Sequence, residues 1–232
     1  MALIETINLY YRYPTSDKWI LRGINLRINR ERVVVAGGTG SGKTTLLRVI
    51  SGLAVRVYGG SMLGEVRVEG RTAYVPQNFD LYILMPTARE ELAYILASQG
   101  LSVVEVEAEI RRLSDLLGIR EVLDQSIMKL SMGQRQRVAI ASALSLRPDI
   151  LLLDEPFAHI DPRGALELVE ILAGVDATII IAEHKLRYIG DLVDRLVLLE
   201  DGVVSYDGLI GEIPTLSPDI EWPLKLILGD DC

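Results

Sequence analysis

A glycine-rich stretch of the chain carries the residue types best suited to bind phosphate. Its nine residues are Gly37, Gly38, Thr39, Gly40, Ser41, Gly42, Lys43, Thr44 and Thr45. A backbone that wraps around a phosphate needs positive φ angles and an approach closer than a Cβ allows, and glycine permits both. Lys43 is placed to reach the β- and γ-phosphates of a nucleotide, and Thr44 to offer its hydroxyl to Mg²⁺. The stretch predicts a nucleoside triphosphate site.

Two further groups of polar residues follow apolar runs that are typical of buried parallel strands. The run Ile150–Leu153 ends directly in Asp154 and Glu155, and the run Thr178–Ile181 leads to His184. Because ligands of open α/β sheets bind at the carboxyl ends of strands, Asp154 is placed to hold Mg²⁺ and Glu155 to orient or deprotonate a water molecule. Taken alone, the carboxylates also fit a solvated acidic turn, and a single histidine is more often structural than catalytic.

Composition limits the classes of protein to consider. The chain has 232 residues, 49% of them hydrophobic and 24% charged, which fits one large α/β domain with an inserted lobe. Its net charge of -8 disfavours nucleic acid as a partner. The only cysteine is Cys232, so an internal disulfide is excluded and a reducing compartment fits. The sequence shows neither a signal peptide nor an apolar run long enough to span a membrane.

The elements before and after the glycine-rich stretch are predicted to be strands. Residues 3–9 and 21–28 alternate apolar and polar positions, which predicts antiparallel strands joined by a loop next to Tyr13. A helix over about residues 43–53 follows the stretch. Gly59, Gly60 and Gly64 are then expected to interrupt the chain before short strands at 65–68 and 72–75.

The middle of the chain changes to a helical pattern. Residues 86–97 and 103–117 have apolar positions at helical spacing; Ser102 and Glu105 form a capping box, and Gly118 ends the second helix. Ser131 and Gln134 form another capping box, which opens a helix to about Leu146. This region is expected to form a helical lobe inserted into an α/β core.

The last third of the chain returns to alternating helix and strand. Asp161 and Pro162 are typical of a helix start, and final strands at about 195–199 and 203–206 are joined by a turn at Asp201-Gly202. The tail after Pro214 has no pattern to which a role can be assigned.

Together these residues resemble the nucleotide-binding subunit of ABC transporters over nearly the whole chain. The matches, in chain order, are Tyr13 with the loop that stacks on adenine, residues 37–45 with Walker A, Gln77 with the Q-loop, Leu130–Gln134 with the family signature, Ile150–Glu155 with Walker B and its catalytic glutamate, Asp161 with the D-loop and His184 with the switch histidine. The order of these motifs makes the resemblance specific.

The resemblance implies a P-loop NTPase core, a mostly parallel sheet flanked by helices, with an N-terminal antiparallel β subdomain and an inserted helical subdomain. The expected single domain, 1–232, divides into core segments 1–78 and 148–212, a helical subdomain 79–147 and a tail 213–232. ATP and Mg²⁺ are the expected cofactors.

The same resemblance implies roles for individual residues. Lys43, Gln77, Glu155 and His184 are expected to take part in hydrolysis of ATP. Thr44, Gln77 and Asp154 are expected to hold Mg²⁺, and Tyr13 to stack on adenine. Ser131, Gly133 and Gln134 are expected to contact the γ-phosphate bound to a second subunit, and Asp161 to communicate across the dimer.

The implied assembly is a head-to-tail dimer of ABC ATPase subunits on membrane-spanning partners, at the cytoplasmic face of the membrane. Short stretches such as Pro76-Gln77-Asn78 and Ala182-Glu183-His184 are most similar to energy-coupling-factor and cobalt-type importers of vitamins or transition-metal ions. The alternatives are an exporter subunit, a soluble ABC ATPase acting on DNA repair or ribosomes, and a binding-only regulatory subunit.

Two positions depart from the family pattern. Met132 stands where the signature usually has glycine, which is expected to weaken the contact with the second subunit's nucleotide. His159-Ile160 replaces a small residue and leucine before Asp161. These departures suggest an asymmetric heterodimer with a related chain, in which this chain's own Walker site is competent for hydrolysis.

Overall fold

The computed structural model of the chain describes residues 3–158, 160–214, 217–223 and residue 226. His159 and Cys232, which the sequence analysis singled out, lie outside the described residues. Within the described residues, nine strands form two sheets that are flanked by five α-helices, in agreement with the predicted fold class.

The smaller sheet is antiparallel, with strand order β2-β1-β4. Its strands are β1 (Leu3–Arg12), β2 (Leu21–Ile28) and β4 (Ser61–Glu69). One face packs on the core through side chains such as Ile4, Leu21 and Ile24, which are buried because the strands alternate apolar and polar positions. The predicted antiparallel strands at the N-terminus are confirmed.

The larger sheet has the order β5-β6-β7-β3-β8-β9 and is parallel except for the last strand. Its strands are β3 (Arg32–Ala36), β5 (Thr72–Val75), β6 (Ile150–Asp154), β7 (Thr178–Glu183), β8 (Arg195–Glu200) and β9 (Val203–Leu209). Strands β3, β6 and β7 lie inside the sheet with helices on its faces, which explains their continuous apolar runs. Their carboxyl ends therefore meet at one edge.

The helices begin and end close to the predicted positions. They are α1 (Lys43–Ile50), α2 (Ala88–Ser98), α3 (Val103–Leu117), α4 (Met132–Ser145) and α5 (Pro162–Ala173). Both predicted capping boxes are present, at Ser102 and at Ser131, and Gly118 ends α3 in a left-handed conformation. Helix α1 stops at Ile50, earlier than predicted, and a π-helical turn over Ala54–Tyr58 follows it.

The prediction that Gly64 interrupts the chain was wrong. Gly64 lies inside β4 with a φ of +83°, where the pairing with β1 shifts register between Ile7 and Tyr10. A Cβ at this position would lie 2.2 Å from the carbonyl oxygen of Asn8. Glycine therefore serves a β-bulge that keeps the two strands paired, and β4 is longer than the short strand expected.

The helical region and the large sheet share one apolar core. Helices α2, α3 and α4 lie in the chain between the neighbouring strands β5 and β6, and side chains such as Leu92, Leu113 and Ile140 pack with Leu151 and Leu153 of the sheet. Among the described residues, no helix has the length and apolar character needed to span a membrane. The limits of the helical subdomain, 79–147, stay a prediction.

Candidate nucleotide-binding site

The glycine-rich stretch forms the loop between β3 and α1. A Cβ at Gly37 would lie 2.3 Å from the carbonyl oxygen of Leu199 and 2.5 Å from Oγ of Ser41, so the packing itself requires glycine there. Gly40 and Gly42 have φ angles of +83° and +107°, in the left-handed region that glycine adopts without strain. Helix α1 then starts without a side-chain cap on its first amides, as expected for an anion-binding helix terminus.

Lys43 is buried at the start of α1 and turns its ammonium group back into the loop. Its Nζ donates hydrogen bonds to the carbonyl oxygens of Gly37 (2.8 Å) and Gly38 (3.0 Å). Burial lowers the pKa of Lys43, while the negative charges of Glu155 and Asp154 oppose that shift. The loop therefore holds a positive charge next to backbone amides at a helix N-terminus, which suits a phosphate group.

Asp154, at the end of β6, is held beside α1 by two hydroxyl groups. Thr44 Oγ1 donates to one carboxylate oxygen at 3.0 Å, and the hydroxyl of Tyr74 on β5 donates to the other at 2.9 Å. Burial raises the pKa of Asp154, and these two hydrogen bonds act in the opposite direction. The hydroxyl of Thr44 and the carboxylate of Asp154 are hard oxygen donors of the kind that Mg²⁺ prefers.

Glu155 follows Asp154 in the chain, but its φ of +49° turns the backbone sharply. Its carboxylate lies beside Gln77 and His184, whereas that of Asp154 lies beside Thr44 and Tyr74. Its amide still donates to the carbonyl oxygen of Ala182, which continues the pairing of β6 with β7. Gln77 Nε2 donates to Glu155 Oε2 at 2.7 Å, and His184 Nδ1 lies 3.7 Å from Glu155 Oε1. A left-handed conformation is costly for a non-glycine residue, and such strain is concentrated at functional sites.

His184 is positioned through its own backbone by Glu183, the fully buried last residue of β7. Glu183 Oε1 accepts hydrogen bonds from the amides of His184 (2.8 Å) and Lys185 (3.0 Å), and Oε2 accepts one from the amide of Phe157. Burial raises the pKa of Glu183, and the backbone hydrogen bonds oppose the shift. The carboxyl group thereby fixes the loop that carries the histidine.

Lys43, Thr44, Gln77, Glu155 and His184 line one cavity of about 410 Å³, within the usual range of small-molecule sites. Its lining comprises Tyr13, Ile20, Thr39, Gly40, Gly42, Lys43, Thr44, Thr45, Gln77, Glu155 and His184. Tyr13 lies at this cavity, but its hydroxyl accepts a hydrogen bond from Arg48 at 3.0 Å and lies 3.3 Å from Thr45 Oγ1. The structure thus brings together residues that the chain separates by up to about 170 positions.

Four further candidate residues lie at the starts of α4 and α5, outside the cavity's lining. Ser131 and Gln134 form hydrogen bonds with each other at the start of α4. The backbone N–H of Gln134 donates to Ser131 Oγ (3.2 Å), and the backbone N–H of Ser131 donates to Gln134 Oε1 (2.9 Å). Gly133 in the same turn has nothing within 4 Å of the place where a Cβ would stand. Asp161 caps α5 through the amides of Arg163 and Gly164. None of these four residues contributes to the lining of the cavity.

Sequence reasoning missed Tyr74 and Glu183, which hold Asp154 and His184 in place. For Tyr74, alternation along β5 was the available signal, since it faces away from the buried Ala73 and Val75. For Glu183, the signal was a charged residue at the end of an otherwise apolar strand. In both cases the bonded partner comes from a different element, which no local pattern shows.

Comparison with known proteins agrees with this geometry. Residues 21–158 match the family model described as ABC transporter. The chain belongs to the ABC transporter family. It is an ATP-binding subunit of that family and an ABC-type ATPase, as the motifs predicted.

Individual members of the ABC transporter family match most of the chain. ABC transporter ATP-binding proteins of Streptomyces avermitilis and Streptomyces coelicolor are 35% and 36% identical to it; the alignments cover 90% and 89% of this chain and 83% of each relative. A longer relative from Methanosarcina acetivorans is 34% identical, and there the alignment spans 88% of this chain but only 36% of the relative.

Two solved ABC structures share the fold. CbiO1 of Clostridium perfringens, part of the ABC transporter complex CbiONQ, is 26% identical, with a TM-score of 0.78 over 89% of this chain and 88% of that one. The ATP-binding cassette MJ0796, solved as a dimer in a post-hydrolysis state with ADP and Pi, is 24% identical, with a TM-score of 0.78 over 89% and 98% of the two chains. The similarity to MJ0796 shows a shared fold and no more.

Proposed function

We propose that this chain hydrolyses Mg-ATP in a head-to-tail dimer of ABC ATPase subunits and thereby drives an importer of a vitamin or a transition-metal ion. The observation that carries the ATPase mechanism is the grouping of Lys43, Gln77, Glu155 and His184 around one cavity. The CbiO1 structure supports the importer type, because that protein is part of the complex CbiONQ. The chain would act at the cytoplasmic face of the membrane, bound to membrane-spanning partners.

In the proposed mechanism, the glycine loop and Lys43 hold the β- and γ-phosphates, and Tyr13 stacks on adenine. Glu155 accepts a hydrogen bond from the attacking water and takes its proton as the water oxygen bonds to the γ-phosphorus; the bond from that phosphorus to the β-phosphate oxygen breaks. Gln77 and His184 keep the Glu155 carboxylate and the water in line. ADP and inorganic phosphate are the products.

Thr44, Gln77 and Asp154 would hold the Mg²⁺ ion. The residues fit this role because the Thr44 hydroxyl and the Asp154 carboxylate already meet at 3.0 Å, and Gln77 brings an amide to the same cavity. When bound, Mg²⁺ neutralises negative charge on the β- and γ-phosphate oxygens.

The trans contact is proposed for Ser131, Gly133 and Gln134, which lie outside the lining of their own chain's cavity. Ser131 Oγ accepts a bond from Gln134, so its hydroxyl proton remains able to donate to a phosphate oxygen of the second subunit. Asp161 would communicate across the same interface. Met132, which stands where the family signature usually has glycine, is exposed at the first position of α4, beside a cavity that Gln77 and Asp80 also line. This departure from the signature is the basis for proposing a heterodimer.

The membrane partner is proposed to dock where the helical region meets β5. An apolar groove of about 140 Å³ lies there, lined by side chains including Phe79, Ile83, Ile95 and Ala139. Leu81, Leu84 and Tyr94, in the same part of the chain, are more than half exposed. Arg135 of α4 forms a salt bridge with Asp80 (2.9 Å), which joins the signature helix to the segment that follows Gln77.

Steady-state phosphate release tests the ATPase mechanism. We expect Glu155→Gln to lower the rate at least about 100-fold while ATP binding is retained, because a general base contributes about 10²–10⁴. Lys43→Ala should weaken ATP binding as well. Glu170→Gln, an exposed carboxylate on α5, serves as the matched control. A Glu155→Gln chain that hydrolyses ATP at the control's rate would refute the mechanism.

Three further measurements address the assembly and the direction of transport. Leu84→Glu should abolish co-purification with the membrane partner, whereas Val104→Glu, at an even more exposed apolar position on α3, should leave it unchanged. Uptake of labelled vitamins or metal ions into vesicles carrying the complex decides the direction of transport. If Glu155→Gln chains pair with one another on ATP and occupy both sites equally, the heterodimer proposal is wrong.

A further inference from the structure

The segment 217–223, to which the sequence analysis assigned no role, lies against two loops of the nucleotide site. The amide of Glu221 donates to the carbonyl oxygen of His184 at 2.8 Å, and Glu221 forms a parallel bridge with Lys185. The Glu221 carboxylate also lies 3.4 Å from the guanidinium of Arg187. Towards the other loop, the side chain of Asp219 stands 3.3 Å from where a Cβ on Gly38 would be. The segment therefore lies against both the loop that carries His184, here called the histidine loop, and the glycine-rich loop between β3 and α1.

The core anchors this segment through Ile220 and Trp222, the residues on either side of Glu221. Ile220 and Trp222 are each only 5% exposed and belong to the main apolar cluster, whereas Asp219 and Glu221 face outward. Trp222 Nε1 also donates to the carbonyl oxygen of Ser217 at 2.8 Å. Residues 218–220 form a turn and a bend, and the burial of Ile220 and Trp222 on either side of Glu221 holds the Glu221 amide against the histidine loop.

His184 is consequently held at both of its backbone polar groups. Its amide is bonded by the buried Glu183 from inside the fold, and its carbonyl oxygen by the Glu221 amide from the segment. The imidazole Nδ1, which lies 3.2 Å from Glu183 Oε1 and 3.7 Å from Glu155 Oε1, therefore belongs to a residue whose backbone is held on both sides. The Glu183 contact comes from strand β7 of the large sheet, whereas the Glu221 contact comes from segment 217–223.

We propose that segment 217–223 positions His184 for hydrolysis through the Glu221 amide. Glu221 is a positioning residue, since it acts on the water and the phosphate only through the histidine. The inference rests on the proposed role of His184 in hydrolysis. It makes the rate of the chemical step, rather than ATP affinity, depend on this segment.

The test compares two substitutions at one position. Glu221→Pro removes the amide donor, and Glu221→Ala removes the carboxylate but keeps the amide. In the assembled dimer we expect Glu221→Pro to lower kcat about tenfold with KM for ATP unchanged, since one lost hydrogen bond accounts for about that factor. Glu221→Ala should stay within about twofold of the unsubstituted chain.

The decisive control repeats both substitutions in a His184→Ala chain, with single-turnover hydrolysis to measure the lower rates. Glu221→Pro should then cause no further loss, because the residue it positions is gone. An equal loss with and without His184 would overturn the proposal, and so would equal kcat values for Glu221→Pro and Glu221→Ala. If His184→Ala alone hydrolyses ATP normally, the proposed role of His184 fails first, which separates the two conclusions.

A second variant covers the case in which Glu221→Pro does not fold. Trp222→Leu loosens the anchor of the segment without touching the Glu221 amide. It should lower kcat several-fold in the presence of His184 and have no effect on kcat in its absence. The proposal is overturned if the Trp222→Leu chain has the circular dichroism spectrum of the unsubstituted chain and an unchanged kcat.

Discussion

Helices α1 and α4 both begin at a motif proposed to contact phosphate, but their first turns differ. Helix α1 follows Gly42 and has no side-chain cap, and Lys43 at its start is buried. Helix α4 is capped by its own residues, Ser131 and Gln134, and Ser131 is exposed. The first terminus is built into the core around a cavity, while the second is a stable helix start on the surface. The role proposed for the first terminus can be tested in the single chain, whereas the role proposed for the second can be tested only with a partner present.

The glycines of the two motifs should respond differently to the same change. Gly37→Ala places a Cβ 2.3 Å from a backbone oxygen, so we expect a loss of roughly 3 kcal/mol in the free energy of unfolding together with loss of ATP binding. Gly133→Ala meets nothing within 4 Å and should raise stability by about 0.5 kcal/mol. Urea denaturation of both variants measures the difference. Equal stabilities would contradict the account of the loop.

The serine caps of α3 and α4 provide a smaller contrast. Ser102→Ala and Ser131→Ala each remove a capping hydroxyl, and each should lower the free energy of unfolding by about 1 kcal/mol. Only Ser131→Ala should also weaken ATP-driven association with the second ABC ATPase subunit, measured by size-exclusion chromatography of the Glu155→Gln chain mixed with that subunit. If Ser102→Ala weakens the dimer as much, the effect is one of stability, and the trans contact is unsupported.

The smallest expected difference is a dependence on pH. Hydrogen bonds from the Ser102 hydroxyl and amide lower the pKa of Glu105, whereas the α4 box uses Gln134, which does not titrate. A lowered pKa in the folded state gives a stability contribution that is present above the unfolded value and lost as pH falls through the folded value. The Tm difference between Glu105→Gln and the unsubstituted chain should therefore shrink from pH 7 to pH 3. The difference for Gln134→Ala should stay constant.

Much of the fold could be predicted because its signals are local. The capping boxes at Ser102 and Ser131, the helix start at Asp161 and the buried runs of β3, β6 and β7 each depend on residues only a few positions apart. The glycine-rich loop belongs to the same class, since its backbone conformation and its lysine are adjacent in sequence. Gly64 was misinterpreted because a bulge is defined by the opposite strand, which the sequence around Gly64 does not contain.

By itself, the sequence determined the glycine-rich loop, the helix starts and the family, because each rests on residue types at short spacing or on the order of motifs along the chain. The tertiary structure decided what holds the proposed catalytic side chains in place. Parallel pairing of β5, β6, β7 and β3 brings Tyr74 to Asp154 and Gln77 to Glu155, across about 80 positions of chain. Burial of Ile220 and Trp222 likewise brings Glu221 to His184. Such contacts arise from packing between distant segments, and no local pattern records them.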